Sequence, residues 1–210
     1  KKDMKKIMMI FGTRPEAIKM APLYKELKES KEFEIIACVT AQHREMLDQV
    51  LEIFDIKPDI DLDIMKNSRD LHEITANVIL GIRNALQEVK PDLVLVHGDT
   101  TTTFASSLAC YYLNIKIGHI EAGLRTYDMT APFPEEFNRQ VTGLLADFHF
   151  APTEESKRNL IKEGKKEETI LVTGNTVIDA LFTILNKVEE NRVLREKIIE
   201  DIDRLLDFDW

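Results

Sequence analysis

Short apolar segments alternate along this chain with segments of helical periodicity, and this alternation constrains the fold more than any other feature. Nearly continuous apolar runs, such as residues 6–11 and 33–40, are typical of strands that are covered on both faces. The segments between them carry apolar residues three or four positions apart, as amphipathic helices do. The strand–helix unit recurs about seven times. This predicts an α/β fold: a doubly wound, mostly parallel sheet with right-handed crossovers.

Local sequence patterns and helix-capping residues refine the bounds of these elements. Residues 59–65 alternate apolar and acidic side chains, which predicts a short edge strand or extended segment. Asn67 and Ser68 are suited to cap a long helix over residues 69–89, whose apolar stripe recurs at helical spacing. No domain boundary is visible before about residue 175, so we expect one domain over residues 1–174, followed by helices over residues 175–210.

Composition excludes several classes of function. The 210-residue chain has a net charge of −9, which argues against a nucleic-acid surface, because phosphate binding needs clustered Lys and Arg. No apolar run reaches the ~18 residues of a membrane span, and the apolar segment near the start is too short for a signal peptide. Cys38 and Cys110 lie in apolar surroundings, which favours buried thiols in a reducing cytoplasm over a disulfide.

Carboxylates follow two of the predicted strands, at the point where each strand ends. Asp99 comes just after the strand at residues 93–96, and Glu121 directly after the strand at residues 115–120. Ligands of open parallel sheets bind outside the carboxyl ends of the strands. Two carboxylates in one crevice can differ in pKa, which provides one acid and one base. Glu135 opens a helix, so it is either a third member of this site or a complement to the helix dipole.

Three strand–helix turns share glycine followed by polar residues at a helix start; they are residues 12–14, 98–100 and 174–176. Glycine allows close approach of a ligand, and a helix N-terminus attracts phosphate. None of the turns has the spacing of a Walker loop or of the G-x-G-x-x-G fingerprint. Thr100 and Thr101 are suited either to donate hydroxyls to a phosphate or sugar, or to serve as ordinary helix caps.

Basic residues near the first turn extend this candidate site. Arg14 follows the first strand, where it forms either a surface salt bridge or a bidentate clamp on a diphosphate. Lys19, about one helical turn further on, is positioned to support the clamp. The histidines show no metal-ligand spacing, and we expect His97 and His119 to be hydrogen-bonded near the site rather than to bind a metal.

Six collinear motifs between about residues 6 and 184 resemble the non-hydrolysing bacterial UDP-N-acetylglucosamine 2-epimerases. They are FGTRPEAIKMAPL (11–23), TAQHREMLDQVL (40–51), HGDTTTTFA (97–105), HIEAGLRT (119–126), PFPEEFNRQ (132–140) and TGNTVIDAL (173–181). The resemblance implies a GT-B type fold, in which two Rossmann-like domains enclose the active site. It covers only the N-terminal domain, residues 1–174. Residues 175–210 then resemble the interdomain helices, and the UDP-binding C-terminal domain is absent from this sequence.

The resemblance also implies an activity, the interconversion of UDP-N-acetylglucosamine and UDP-N-acetylmannosamine. In the family, UDP is eliminated with loss of the C2 proton, which leaves 2-acetamidoglucal, and UDP then adds back. The resemblance implies no cofactor or metal. It does imply a homodimer and a role in cell-surface polysaccharide biosynthesis. Because half of the family's architecture is missing, we expect this chain alone to be inactive. The alternative is an isolated half-enzyme that serves as a dimerising or sugar-nucleotide-binding module.

The family's functional residues carry over position by position. Asp99, Glu121 and Glu135 match its catalytic carboxylates, with the division between base and acid left open. Arg14, Lys19 and Arg139 match its substrate-binding basic residues. Many members also bind a second substrate molecule as an allosteric activator, and part of that region is matched by Gln42, His43 and Arg44.

Overall fold

The computed structural model describes residues 4–41, 44–64 and 68–206, and it describes residues 205 and 206 by their backbone alone. The strands are β1 (Lys5–Phe11), β2 (Phe33–Val39), β3 (Ile60–Asp61), β4 (Leu93–His97), β5 (Lys116–Ile120), β6 (Phe148–Ala151) and β7 (Ile170–Val172). The helices are α1 (Arg14–Glu29), α2 (Arg44–Ile53), α3 (Leu71–Val89), α4 (Thr101–Tyr112), α5 (Glu135–Leu145), α6 (Glu154–Lys162), α7 (Val177–Glu190) and α8 (Arg192–Leu206).

The strands pair in parallel in the order β3-β2-β1-β4-β5-β6-β7. The chain moves outward in one direction from β1 to β3 and in the other from β4 to β7, so the order reverses between β1 and β4. This is the doubly wound arrangement that the alternation of strands and helices predicted, and the predicted fold class is confirmed. Open sheets of this kind bind ligands where the order reverses.

Two apolar layers cover the sheet, and β1 contributes to both. Met9 and Phe11 pack on one face with residues of α1 and α2, whereas Met8 and Ile10 pack on the other with residues of α3 and α4. Successive side chains of a strand point to opposite faces, so a strand covered on both sides needs apolar residues at every position. The continuous apolar run in the sequence has this cause.

Two local predictions were imprecise. The cap of α3 is Asp70, which accepts hydrogen bonds from the backbone N–H groups of His72 and Glu73. Ser68 instead donates its hydroxyl to the carbonyl of Ile64, and Asn67 lies outside the described residues. The expected strand over residues 59–65 is reduced to the two residues of β3, beside β2 at the sheet edge. No helix in the described part of the chain is long and apolar enough to cross a membrane.

The first helix after residue 175 packs against the sheet domain. Ala180 of α7 is buried in the same apolar layer as α1, and Ile184 packs against that layer. Lys187 reaches back to α2, donating to the carbonyl of Ile53 at 2.8 Å and to the Asp55 carboxylate at 2.9 Å. The division at residue 175 stays a prediction, and α7 is held firmly against the domain that precedes it.

Candidate functional site

The candidate site lies at the carboxyl ends of β1, β4 and β5, which are neighbours in the sheet. The turn at residues 12–13 follows β1, the turn at residues 98–100 follows β4, and Glu121 follows β5. Because β4 and β5 are paired in register, with His97 opposite Ile120, the residues that come next emerge side by side. The sequence prediction that Asp99 and Glu121 face a common crevice has this geometric basis.

The Glu121 carboxylate is held by groups from two helical elements. Lys19 of α1 approaches its Oε2 atom at 2.5 Å, and the side-chain amide of Asn175, just before α7, donates to the same oxygen at 3.3 Å. His97 Nε2 lies 4.0 Å away. Burial and the nearby Lys19 lower the pKa of His97 to about 3, so this ring is neutral and forms no ion pair with Glu121. Glu121 itself has a φ of 62°, in the left-handed region that is costly for a side-chain-bearing residue.

Asp99 is anchored by two consecutive residues of α5. Arg139 donates a hydrogen bond to its Oδ2 at 2.6 Å, and Asn138 donates to its backbone carbonyl at 3.0 Å. Burial raises the pKa of Asp99, and Arg139 opposes that rise. Glu121 and Glu135 both lie close enough to raise the pKa of Asp99 further. The structure therefore brings the three sequence-predicted carboxylates into one electrostatic cluster.

Glu136, the neighbour of Glu135, is completely buried and organises the loop that precedes α5. It accepts hydrogen bonds from the backbone N–H of Thr126 at 3.1 Å and of Tyr127 at 3.0 Å, and from the Gln140 side chain at 2.7 Å. Its Oε2 also lies 3.4 Å from Nη1 of Arg139. These hydrogen bonds outweigh the effect of burial and lower the pKa of Glu136. The carboxylate thus fixes Arg139, which in turn holds Asp99.

Other predicted site residues have different surroundings. Glu135 is half-buried at the first position of α5 and Arg14 is exposed at the first position of α1. The side chain of neither forms a hydrogen bond or ion pair with another described residue. The surface salt bridge considered for Arg14 is therefore not found among the described residues. Lys19 pairs with Glu121 rather than with a group beside Arg14. Thr101 is buried at the start of α4.

A second buried carboxylate, Glu16, ties the turn after β1 to the turn after β4. It accepts from the backbone N–H groups of Gly12 at 3.0 Å and Thr13 at 2.8 Å. Across the sheet it accepts from the hydroxyls of Thr100 at 2.7 Å and Thr103 at 3.1 Å. Burial raises the pKa of Glu16, and the hydrogen bonds from Thr100, Gly12 and Thr13 oppose that rise by favouring the ionised form. Thr100 is also the N-cap of α4, so the cap function considered for it is present.

Among the buried histidines, His119 forms a side-chain hydrogen bond close to the candidate site. His119 Nε2 lies 2.7 Å from the carbonyl of Gly98, directly beneath the Asp99 turn. Burial lowers the pKa of His119 to about 3, so the neutral ring donates this bond. The expectation that His119 is hydrogen-bonded near the site is confirmed. In the described ranges, no group of three His, Cys, Asp or Glu residues is placed to hold a metal ion.

Of the three residues assigned to the allosteric region, Arg44 lies within the described ranges, whereas Gln42 and His43 lie outside them. The Arg44 guanidinium binds Asp61 at 2.5 and 2.9 Å, and also lies 3.1 Å from Asp63 and 3.5 Å from Asp48. Hydrogen bonds to Asp61, opposed by partial burial, raise the pKa of Arg44 further. This cluster ties the start of α2 to β3.

Sequence reasoning missed Glu16, Glu136, Asn138 and Asn175 as members of the site. A signal existed for Glu16, which stands at the third position of α1, where a capping-box glutamate is expected. A signal also existed for Asn175, since its turn had the strand–Gly–helix design. For Glu136 and Asn138 the sequence carries no such sign, because their importance depends on which face of α5 is buried.

The chain was compared with known protein families and proteins. Residues 25–206 match the model of the family described as UDP-N-acetylglucosamine 2-epimerase. A UDP-N-acetylglucosamine 2-epimerase of Bacillus subtilis is 58% identical over 196 residues, which cover 93% of this chain and 51% of the relative. One from Campylobacter jejuni is 54% identical over 198 residues, 94% of this chain and 52% of the relative. The chain thus spans about half the length of the curated relatives it matches.

Solved structures give the same result. The crystal structure of the Neisseria meningitidis UDP-GlcNAc 2-epimerase bound to UDP-GlcNAc superposes with a TM-score of 0.89 at 53% identity, covering 94% of this chain and 54% of that one. The Methanocaldococcus jannaschii enzyme, in complex with UDP-GlcNAc and UDP, superposes with a TM-score of 0.86 at 36% identity, covering 93% of this chain and 53% of that one.

Proposed function

This chain belongs to the UDP-N-acetylglucosamine 2-epimerase family, and we propose that it is the carboxylate-bearing half of an enzyme that interconverts UDP-N-acetylglucosamine and UDP-N-acetylmannosamine. The proposal is supported most strongly by the cluster of Asp99, Glu121 and Glu135 at the carboxyl edge of the sheet. Its structural neighbours were solved with UDP-GlcNAc, or with UDP-GlcNAc and UDP, bound, which agrees with this assignment.

The chemistry requires groups of the kind that this cluster contains. The proton at C2 of the sugar is weakly acidic, so its removal needs a general base, and its return from the opposite face needs an acid. Departing UDP develops negative charge, which cations and helix N-termini stabilise. Arg14 and Thr101 each begin a helix at this edge, and Arg14 has no partner among the described residues. We assign Arg14, Lys19, Arg139, Thr100 and Thr101 to binding of the substrate.

The environments of the carboxylates suggest a division of labour. Burial raises the pKa of Asp99, which favours it as the group that carries the proton. Glu121, ion-paired with Lys19, is the better candidate for the base. Glu135 has no described hydrogen-bonding partner, which leaves its oxygens available to the sugar or to the leaving group. The reaction proceeds by elimination of UDP to 2-acetamidoglucal and re-addition of UDP.

The complete protein, in this proposal, has a second domain that closes the cleft over residues 1–174, with residues 175–210 between the two. We further propose that it is a homodimer, acts in the cytoplasm and supplies an amino sugar for cell-surface polysaccharide. The cytoplasmic assignment is supported by Cys38 and Cys110, which are both buried and unpaired.

The test joins this chain to the remaining half of the Bacillus subtilis relative and assays UDP-N-acetylglucosamine in D₂O. We expect epimerisation with incorporation of deuterium at C2, and NMR measures both. Glu121→Gln and Asp99→Asn should each suppress deuterium incorporation about 100-fold or more, because each removes a group that transfers the C2 proton. Wild-type incorporation in both variants would refute the assignment. The 210-residue chain alone should be inactive; turnover by it would refute the need for a second domain.

Regulation by a second substrate molecule at Gln42, His43 and Arg44 is a separate proposal. The ion pairs of Arg44 with Asp61 and Asp63 leave it fewer free donors for such a ligand. In the joined protein, Arg44→Met should abolish any sigmoidal dependence of rate on substrate concentration while leaving the maximal rate within about two-fold. Unchanged sigmoidal kinetics in this variant would exclude Arg44 from regulation.

A further inference from the structure

We infer that Asn175 is a positioning residue that ties the first turn of α7 to the Glu121 carboxylate. Asn175 lies just before α7 and is 54 residues away from Glu121 in sequence. Its two side-chain ends serve different partners, one in the backbone of α7 and one at the end of β5. The catalytic part of this inference rests on the proposed function, whereas the structural link does not.

The orientation of the Asn175 amide is fixed by its surroundings. Its Oδ1 accepts a hydrogen bond from the backbone N–H of Val177 at 3.0 Å. A backbone N–H can only donate, so the oxygen must face Val177 and the NH₂ group must face Glu121. The Nδ2–Oε2 distance of 3.3 Å to Glu121 is therefore a hydrogen bond to a carboxylate. Asn175 therefore bonds the backbone at the start of α7 and the carboxylate of Glu121 at the same time.

Glu121 needs such support because its backbone conformation is unfavourable. Its φ of 62° lies in the region that glycine adopts easily and other residues only when their surroundings hold them there. Lys19 and Asn175 meet at the same oxygen, Oε2, from α1 and from the start of α7. The nearest heavy atom to an added Cβ on Gly98 is the other oxygen, Oε1, at 3.7 Å. Oε2 is thus tethered, and Oε1 lies toward the Asp99 turn.

The link also makes the geometry of Glu121 depend on the position of α7. Ala180 and Ile184 seat α7 on the apolar layer that contains α1, and Lys187 pins its far end to Asp55. A displacement of the first turn of α7 would lengthen the bond from Asn175, leaving Lys19 as the remaining hydrogen-bond donor to Glu121 among the described residues.

Asn191 provides a matched control. Its Oδ1 also accepts from a backbone N–H at a helix start, that of Leu194 in α8 at 3.0 Å, but the residue is exposed and hydrogen-bonds to no carboxylate among the described residues. Substituting either asparagine by Asp preserves a side-chain oxygen that can accept the same backbone N–H. Only Asn175→Asp places a further carboxylate directly against Glu121. The other titratable or charged members of that cluster are Lys19, His97, Asp99, Glu135 and Arg139.

The first experiment measures the Tm of the 210-residue chain between pH 5.5 and 8 and does not depend on activity. In Asn175→Asp, the two carboxylates repel each other unless they share a proton, so the folded state binds more protons than the unfolded state and loses stability as pH rises. We expect its Tm deficit relative to wild type to widen by roughly 3 °C over this range. The deficit of Asn191→Asp should stay constant. Parallel behaviour of the two variants would overturn the link.

The second experiment measures kcat and KM in the joined two-domain protein. Asn175→Ala should lower kcat about ten-fold with little change in KM, since it removes a hydrogen bond that orients the base rather than one that binds substrate. Asn191→Ala also loses a side-chain hydrogen bond to the backbone at a helix start, and it should keep the wild-type kcat. Asn175→Asp should lose activity progressively above pH 6, because a carboxyl group at this position can donate a hydrogen bond to Glu121 only while it is protonated. Equal kcat in Asn175→Ala and Asn191→Ala would overturn the positioning function of Asn175. A joined protein without any activity would refute only the proposed function. The Tm measurement would then still decide whether Asn175 is linked to Glu121.

Discussion

Replacing Gly12 by alanine should destabilise the fold by about 2–4 kcal/mol. A Cβ atom at this position would lie 2.1 Å from Oγ1 of Thr40 and 2.6 Å from Oγ1 of Thr102, well inside van der Waals contact. Both threonines are buried and hydrogen-bonded to each other at 2.9 Å, so neither can move without losing that bond. Overpacking of a core typically costs about 1–3 kcal/mol, and the loss of a buried hydrogen bond adds about 1 kcal/mol.

The cost at Gly12 comes from crowding rather than from the backbone, because its φ lies outside the left-handed region. Urea denaturation followed by circular dichroism would measure the free energy of unfolding. Gly81→Ala is the control. Its Cβ would meet only the flexible end of Leu62, at 3.1 Å, and alanine in the middle of α3 should stabilise the chain by up to about 1 kcal/mol. A Gly12→Ala variant within about 0.5 kcal/mol of wild type would refute the close packing of the turn after β1 against α4.

Three further substitutions test the buried polar network. Burial holds the pKa of His119 at about 3 in the folded state, so unfolding takes up a proton below about pH 6.5 and the wild type loses stability there. His119→Gln lacks this loss, so its free energy of unfolding by urea should gain about 1 kcal/mol relative to wild type between pH 7 and pH 5.5. The same stability difference between the two proteins at both pH values would contradict burial of His119 as a neutral ring. Glu136→Gln should destabilise by about 2–3 kcal/mol, because an amide NH₂ then faces backbone donors, whereas Glu155→Gln on exposed α6 should stay within about 0.5 kcal/mol. Arg139→Met should raise the pKa of Asp99 further. Because Asp99 is proposed to act in its protonated form, the alkaline limb of the pH–rate profile of the joined protein should move to higher pH. An unshifted alkaline limb would show that Arg139 does not control Asp99.

The sequence predicted Asp99 and Glu121 because a simple rule of topology applies to them. Parallel strands place all their carboxyl ends at one edge, so residues that directly follow β4 and β5 must meet once the strands are neighbours. The rule needs no knowledge of side-chain packing. It also accounts for the correct fold class, since alternating strands and helices leave few ways to cover both faces of a sheet.

The partner of Lys19 shows where this kind of reasoning stops. Within the sequence, Lys19 stands close to Arg14, and helical spacing suggests that the two act together. In the structure it binds Glu121, which is 102 residues away. That pairing depends on how α1 lies over the end of β5, and the tilt of a helix on a sheet is set by the packing of residues from α1, α2 and α7 together. No local pattern contains this information.

The adjacent residues Glu135 and Glu136 show most clearly how chemistry separates from sequence. Both are glutamates in the first turn of α5, where either complements the helix dipole. A helix turns about 100° per residue, so when one of them points to the crevice the other points into the domain. Glu136 is fully buried and saturated with donors, and a carboxylate so enclosed cannot exchange protons with a sugar at the cleft. Glu136 nevertheless contributes to the candidate site through Arg139.

The guanidinium of Arg139 is held between Glu136 and Asp99, so the buried Glu136 fixes the positive charge beside Asp99. Glu16 stands in the same relation to the turns at Gly12 and Thr100. Asp99 is therefore oriented by a buried carboxylate through Arg139. A substitution at Glu136 should alter the proposed reaction although Glu136 does not reach the substrate.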